Sequence, residues 1–151
     1  EVATYAQSQG VKAHGMNLGG RYVFPFGSVK FVPALHSSGY EIDGVMTYMG
    51  EASGIILEAE DKKIYHAGDT ALFSDMRLFA KDKSIDVAFL PIGDNYTMGP
   101  EDALEAVSYL NPKITIPIHY NTFPVIQQNP AIFVEQVVGG KVLNPGETIL
   151  V

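Results

Sequence analysis

Three side chains that can bind metal ions each lie just past an apolar, strand-like segment. His36 and His119 directly follow Val29–Leu35 and Ile116–Ile118, and Asp69 comes shortly after a third segment of the same kind. Imidazole nitrogen and carboxylate oxygen are the ligand types that hold catalytic zinc and related divalent ions. Because strand ends present such groups to an open cleft, we predict that all three are metal ligands. Asp69, the carboxylate of the set, is predicted to bridge two ions and to be a catalytic residue.

Each of these residues also has an ordinary structural interpretation. A histidine at a strand end is more often a buried, hydrogen-bonded residue than a metal ligand. Asp69, between Gly68 and Thr70, has the context of a helix N-cap or an Asx turn. The repetition of one placement three times is what favours the metal site.

The two other histidines differ in their surroundings. His66 lies three residues before Asp69 and is predicted to be catalytic by orienting a carboxylate or the substrate, since metal ligands usually need such partners. His14 has no comparable context, and we expect it to be a surface or loop residue.

A polar loop between a buried strand and a helix is predicted to bind the substrate. It begins with Asp94, Asn95 and Tyr96, and such loops commonly border the ligand site of an α/β protein. A plain strand–helix connection is an equally good interpretation of these residues. Tyr120 and Asn121, which follow His119, are predicted to supply further hydrogen bonds to the substrate.

Composition excludes several classes of protein. The chain of 151 residues has the size of one domain, with seventeen acidic and ten basic residues and a net charge of −7. No basic cluster is present, which disfavours binding of nucleic acids. The absence of cysteine excludes disulfides and thiolate sites, and suits a cytoplasmic protein. No apolar stretch approaches the ~20 residues of a membrane span, and no Gly-x-Ser-x-Gly motif supports a serine nucleophile.

The elements that position these residues alternate along most of the chain. Hairpins followed by β-α-β alternation predict an α/β protein with a mixed sheet. Helices are predicted at 1–10, 72–82, 100–110 and 130–139, strands at 22–24, 29–32, 54–59, 63–66, 85–92, 113–118, 141–143 and 148–151, and an ordered loop at 37–52.

Several of these segments together resemble the metallo-β-lactamase-fold hydrolases. The similar branch is the one of metal-dependent hydrolases related to the L-ascorbate-6-phosphate lactonases. The segments that carry the resemblance follow the order of that family: Phe31–Ser38, Ile64–Thr70, Phe89–Asp94, Met98–Ala103 and Ile116–Asn121.

The resemblance implies part of an αββα sandwich with mixed sheets and two divalent metal ions, zinc first, with manganese or iron as alternatives. It gives His36, Asp69 and His119 the roles of the three later ligands, with Asp69 between both metals. The family's first motif, His-x-His-x-Asp-His, is absent. Residues 1–151 are therefore expected to be the C-terminal portion of one domain whose N-terminal, motif-bearing segment is missing.

The functional hypothesis is a hydrolase whose metal-activated water attacks an ester, a lactone or a phosphoester. The 151-residue portion alone is expected to be inactive, and to associate with its missing segment or with another copy of itself. An alternative is a non-catalytic module for binding or assembly that has lost its metal motif. A nuclease of the same fold is disfavoured by the acidic composition. The expected partner of the enzyme is a small-molecule substrate.

Overall fold

A single six-stranded mixed sheet forms the frame of the molecule, a computed structural model that describes residues 1–151. The strand order is β1-β2-β5-β6-β7-β8, and a separate two-stranded hairpin is formed by β3 and β4. The strands are β1 (Arg21–Phe24), β2 (Gly27–Pro33), β3 (Gly39–Ile42), β4 (Val45–Tyr48), β5 (Ser53–Ala59), β6 (Lys62–His66), β7 (Val87–Pro91) and β8 (Ile114–Ile118).

Helices are short and few. The α-helices are α1 (Val2–Ser8), α2 (Pro100–Leu110) and α3 (Pro130–Glu135), and two 3-10 helices cover Ser74–Leu78 and Pro124–Ile126. None of them has the length and apolar character needed to cross a bilayer. In place of the helix expected at 72–82 there is only the short 3-10 helix Ser74–Leu78. The helix expected at 130–139 ends at Glu135.

The α2 helix begins and ends where its sequence predicts. Gly99 is extended, Pro100 occupies the first helical turn, and two carboxylates follow at the positive helix end. Asn111 adopts the left-handed conformation with φ 42° and closes the helix. One side of the helix is apolar and buried, so it packs against the sheet.

Pairing changes from antiparallel to parallel across the sheet. Strands β1, β2, β5 and β6 pair antiparallel, whereas β6, β7 and β8 pair parallel. The β7–α2–β8 crossover supplies the last two strands. Because β6, β7 and β8 run in the same direction, their carboxyl ends lie along one edge of the sheet.

The core lies between the sheet and the helices on one of its faces. Tyr65 and Leu90 from the sheet pack there with Met76, Met98 and Leu110, and all five are fully buried. A second cluster joins α2, α3 and the end of β7. The α/β class and the mixed sheet predicted from the sequence are confirmed.

The loop expected at 37–52 is wrong in part, because β3 and β4 form a hairpin there. Its turn is Asp43-Gly44, with φ values of 50° and 77°. Positive φ at both central residues is the type I′ geometry that Asp-Gly favours. The irregular side-chain pattern of the strands concealed this turn, since most of their residues are exposed.

The two strands expected at 141–143 and 148–151 are absent, and Pro117 explains why pairing stops. Thr115 on β8 donates its N–H to Gly139 and accepts one from Lys141, which forms an isolated parallel bridge with Gly140. In a parallel pair the next N–H that β8 would donate on this side belongs to residue 117. Residue 117 is proline, which has no N–H. A further strand therefore cannot extend along β8.

Candidate active site

Asp69 and His119 meet at the carboxyl edge of the parallel strands. Asp69 lies three residues past β6 and His119 directly follows β8, so the two residues flank the end of β7. Asp69 Oδ2 is 3.3 Å from His119 Nε2, and the exposed fractions of the two side chains are 45% and 21%. Sequence reasoning placed each of these residues at a strand end, and the fold brings them into contact.

The separation of this pair suits two ligands of one metal ion. Charge-assisted hydrogen bonds between nitrogen and oxygen are about 2.7–2.9 Å long, so 3.3 Å is long for a direct bond. Two ligands bound at about 2.0–2.1 Å to a tetrahedral metal lie about 3.3 Å apart. The Asp69 carboxylate accepts no hydrogen bond from the chain, so it is neither an N-cap nor an Asx turn.

The imidazole of His119 is available to a metal through Nε2, the ring nitrogen that lies near Asp69. The other nitrogen, Nδ1, is buried and has no hydrogen-bond partner in the chain. His119 also has φ 54°, a left-handed conformation that is uncommon outside glycine and that clusters at functional sites. The pair therefore fits a metal ion.

Gly93 makes room for the His119 backbone and ring. A Cβ atom at residue 93 would lie 2.3 Å from the His119 carbonyl oxygen and 3.0 Å from its Nδ1. The first distance is shorter than any real contact and the second is unusually tight, so a side chain at residue 93 fits only if the His119 backbone moves. Gly93 was not singled out from the sequence, although a glycine between an apolar strand and Asp94 is a signal of close backbone approach.

Substituting Gly93 with alanine is expected to displace His119 and to weaken metal binding by about 10- to 100-fold, the range typical of residues that orient a ligand. The measurement is a metal titration that compares the variant with the unsubstituted protein. Gly15→Ala is the matched control, because a Cβ there meets only Ala3 at an ordinary 3.4 Å. Unchanged metal affinity in Gly93→Ala would show that His119 is not held by this contact.

His36 is held beside the Asp69 segment by the backbone. The Leu35 N–H donates to the Thr70 hydroxyl at 2.9 Å, and the Ala71 N–H donates to the Leu35 carbonyl at 3.1 Å. The exposed ring of His36 has Nδ1 at 2.8 Å from the Ser37 carbonyl. When Nδ1 carries the proton and donates there, Nε2 is left for a metal. Thr70, fully buried, is a second residue that sequence analysis did not single out.

His66 lies against the sheet next to the same edge. Its ring stacks on Phe89 at 5.6 Å, and its Nδ1 accepts the N–H of Gly68 at 3.1 Å. That bond leaves the proton of the neutral ring on Nε2. Burial lowers the pKa of His66, and the Asp69 carboxylate opposes the shift. An orienting role for this imidazole stays a prediction.

The loop that starts at Asp94 is tied to the Asp69 segment. The Met98 N–H donates to the Thr70 carbonyl at 2.9 Å, and the Asp94 N–H donates to the Met98 carbonyl at 3.0 Å. Asp94 and Asn95 have φ values of 62° and 51°, so two consecutive residues are left-handed. The loop therefore borders the Asp69–His119 pair, as expected for substrate-binding residues, and the substrate contacts themselves stay predictions.

The remaining predicted substrate residues have structural contacts. The ring of Tyr120 packs beside the second core cluster, and burial raises its pKa. Asn121 is left-handed, with φ 59°, and its side-chain oxygen accepts the Gln128 N–H at 2.8 Å. Both residues shape the loop after β8, and their contact with a substrate stays a prediction.

A third metal-capable side chain does not join the Asp69–His119 pair within this chain. No group of three or more histidine, aspartate or glutamate side chains is close enough to hold an ion. The structure thus brings two of the three predicted ligands together and holds the backbone of the third, His36, beside them.

This sheet, with a pair of metal-capable residues at its parallel edge, defines the chain as a metallo-β-lactamase-fold domain. The pattern of the β-lactamase superfamily domain matches residues 1–120. Among solved structures, Igni18, a metallo hydrolase from the hyperthermophilic archaeon Ignicoccus hospitalis, superimposes with a TM-score of 0.85 at 35% identity. That match covers 98% of this chain and 64% of Igni18.

The chain belongs to the UPF0173 family of metal-dependent hydrolases. It is 97% identical over 151 residues to the UPF0173 metal-dependent hydrolase of Enterococcus faecalis, and 54% identical over 153 residues to one from Bacillus cereus. These matches cover 100% and 99% of the chain and 67% of each relative, so the chain spans about two thirds of their length. The predicted resemblance is confirmed for the metallo-β-lactamase fold, and the ascorbate-6-phosphate lactonase branch stays a prediction.

Proposed function

We propose that this protein is a hydrolase whose metal-activated water attacks an ester, a lactone or a phosphoester. The observation that carries the proposal is the 3.3 Å approach of Asp69 Oδ2 and His119 Nε2, two ligand atoms that follow β6 and β8 on either side of β7. Family membership favours the same chemistry. The proposed ions are two divalent metals, zinc first, with manganese or iron as alternatives.

Each residue of the site has a defined task under this proposal. Bound divalent ions lower the pKa of water toward neutrality and so supply hydroxide at neutral pH. Asp69 and His119 would hold the ions, with Asp69 serving both of them, and His36 would be the third ligand from this chain. His66, with its proton on Nε2, donates a hydrogen bond that orients the carboxylate or the substrate.

We propose further that the other ligands come from outside these 151 residues. The support is that no third metal-capable side chain completes the pair, whereas catalytic zinc sites normally have three protein ligands. The chain by itself should then bind metal weakly and be inactive, and should associate with the segment that supplies the missing ligands or with another copy. The absence of cysteine is compatible with the cytoplasm as its location.

One observation favours a second candidate, a non-catalytic module for binding or assembly. It is the same absence of a three-residue metal group within the chain. Such a module would keep the sheet and its helices, and it would need no metal to do its work.

Metal content separates the two candidates. We expect the purified full-length Enterococcus faecalis relative to hold about two metal ions per chain. Removal of the ions by a chelator should abolish hydrolysis, and addition of zinc should restore it. His119→Ala should lose metal, and His14→Ala is the matched control because His14 is exposed and its ring packs on Tyr22 and Phe24. A folded protein with no stoichiometric metal would favour the non-catalytic module.

A further inference from the structure

Two exposed aromatic rings stand beside the candidate metal pair. Phe123 lies edge-on to the His119 ring, with centroids 6.4 Å apart, and Tyr96 lies edge-on to Phe123 at 6.1 Å. The exposed fractions are 55% for Tyr96 and 44% for Phe123. We call these two residues the aromatic wall. Phe123 was not predicted as a site residue from the sequence.

The backbone that carries the aromatic wall is itself well ordered by local contacts. Tyr96 follows the two left-handed residues Asp94 and Asn95, and Phe123 directly precedes the 3-10 helix Pro124–Ile126. The Asn121 N–H donates to the Ile126 carbonyl at 2.9 Å and closes the loop that carries Phe123. Exposed rings on such loops can bury an apolar group of a ligand, and the pairing of the two rings limits the conformational freedom lost on binding.

Positive charge is absent from the segments that build the site. Residues 31–61, 64–76, 84–112 and 114–140 contain no lysine and no arginine, and they supply His36, Asp69, the loop after β7 and the residues after β8. These same segments bring the carboxylates of Asp69 and Asp94.

Many of the cations lie at the opposite edge of the sheet. The amino-terminal ends of β6, β7 and β8 are flanked by Lys62, Lys63, Lys81, Lys83 and Lys113. Lys113 pairs with Asp86 at 2.7 Å, and the buried Lys63 amine donates to the carbonyls of Phe79 and Lys83. The positive end of α2 is already flanked by Glu101 and Asp102. A phosphate group at the site would meet no cation of this chain.

We propose that the substrate is an uncharged acyl compound, an ester or a lactone, with an aromatic or other flat apolar group that rests on Tyr96 and Phe123. This inference rests on the proposed hydrolase function and narrows it. It ranks uncharged acyl compounds above anionic phosphoesters, because the segments of this chain at the site offer a phosphate no arginine, no lysine and no helix end with free N–H groups. Asp69 and His119 lie beside the ester or lactone group that is hydrolysed, and the aromatic wall determines which substrates bind.

The kinetic test uses two lactones that differ only in a phenyl group, γ-phenyl-γ-butyrolactone and γ-butyrolactone, with the metal-loaded Enterococcus faecalis relative. We expect kcat/KM to favour the phenyl lactone by about tenfold, the scale of one well-placed aromatic contact. Phe123→Ala should lose most of this preference through a higher KM for the phenyl lactone. Phe26→Ala, which removes an aromatic side chain that is 63% exposed on the β1–β2 turn, is the matched control.

A binding test needs no catalysis. It separates the effect of the ligand's aromatic ring on affinity from the effect of the ligand's charge. Saturation-transfer NMR on the metal-free protein would compare phenylacetone, acetone and phenylphosphonate. We expect phenylacetone to bind at least about tenfold more tightly than the other two, and to lose that advantage in Phe123→Ala.

Each outcome of the two tests has a defined meaning. Equal binding of phenylacetone and acetone would overturn the aromatic wall, and tighter binding of phenylphosphonate would overturn the argument from charge. Hydrolysis without a preference for the phenyl lactone would also overturn this inference while leaving the hydrolase proposal intact. Absence of both metal and hydrolysis would refute the proposed function instead, and the binding test would still decide whether the wall selects flat uncharged ligands.

Discussion

Replacing Asp69 with alanine is expected to remove metal from the protein and to lower kcat/KM by on the order of 1,000-fold. Metal ions contribute several kcal/mol of charge stabilisation to a hydrolytic transition state, and each 1.4 kcal/mol is a factor of about ten in rate. Asp69 makes no hydrogen bond within the chain, so the substitution removes only its contact with His119. The folded state should therefore survive with little change in its melting temperature.

The measurements for this variant are metal analysis, steady-state kinetics and thermal unfolding of the Enterococcus faecalis relative. Asp75→Ala is the control, because Asp75 is an exposed carboxylate on the 3-10 helix Ser74–Leu78. The control should keep both metal and activity. An Asp69→Ala protein that retains full metal content and normal kcat/KM would remove this carboxylate from the site.

Replacing Asp86 with alanine should cause the largest loss of stability, about 3 kcal/mol. Asp86 is 3% exposed, and it accepts the Lys63 backbone N–H at 2.8 Å and the Lys113 amine at 2.7 Å. These contacts join the starts of β6, β7 and β8. The Lys113 side chain is itself 65% exposed, so its ion pair contributes little, and most of the loss comes from the unpaired buried N–H.

In a protein of this size a loss of 3 kcal/mol lowers the melting temperature by about 6–12 °C. Calorimetry of the full-length relative measures it, with Glu105→Ala on the exposed side of α2 as the control. A shift of less than about 2 °C would mean that the Lys63 N–H finds another partner.

The pH dependence of this effect has a definite sign. The hydrogen bond from Lys113 is the main cause that lowers the pKa of Asp86, and the backbone N–H of Lys63 adds to it. A carboxyl with a folded pKa below its unfolded value of about 3.9 stabilises the protein above that pH, and this contribution is lost as the pH falls through the folded pKa. The difference in stability between the wild type and Asp86→Ala should be constant at neutral pH and shrink below about pH 4.

The parallel half of the fold and the location of the site could be predicted from the sequence for physical reasons. Strand β7 is almost entirely apolar because both of its faces are covered, and α2 carries its start and stop signals in Pro100 and Asn111. Polar residues directly after such strands must lie at their carboxyl edge. Asp69 and His119 were therefore found without knowledge of which strands are neighbours.

Other features depend on contacts that a linear pattern does not contain. Gly93 is required only because His119, from a distant segment, packs on it, and Thr70 is informative only through its bond to Leu35. The strands expected after residue 140 fail because Pro117 offers no donor to a neighbour that the sequence does not identify. Phe123 gains its importance from its position beside His119, which only the three-dimensional fold establishes.

The most direct test of the central claim is a crystal structure of the metal-loaded Enterococcus faecalis relative, with anomalous scattering measured above and below the zinc absorption edge. The structure of the site predicts an anomalous peak within about 2.0–2.2 Å of a carboxylate oxygen of Asp69 and of Nε2 of His119, with His36 at the second ion. A fully metal-loaded protein with its anomalous peaks elsewhere, and a direct Asp69–His119 hydrogen bond, would contradict the assignment of this pair as a metal site.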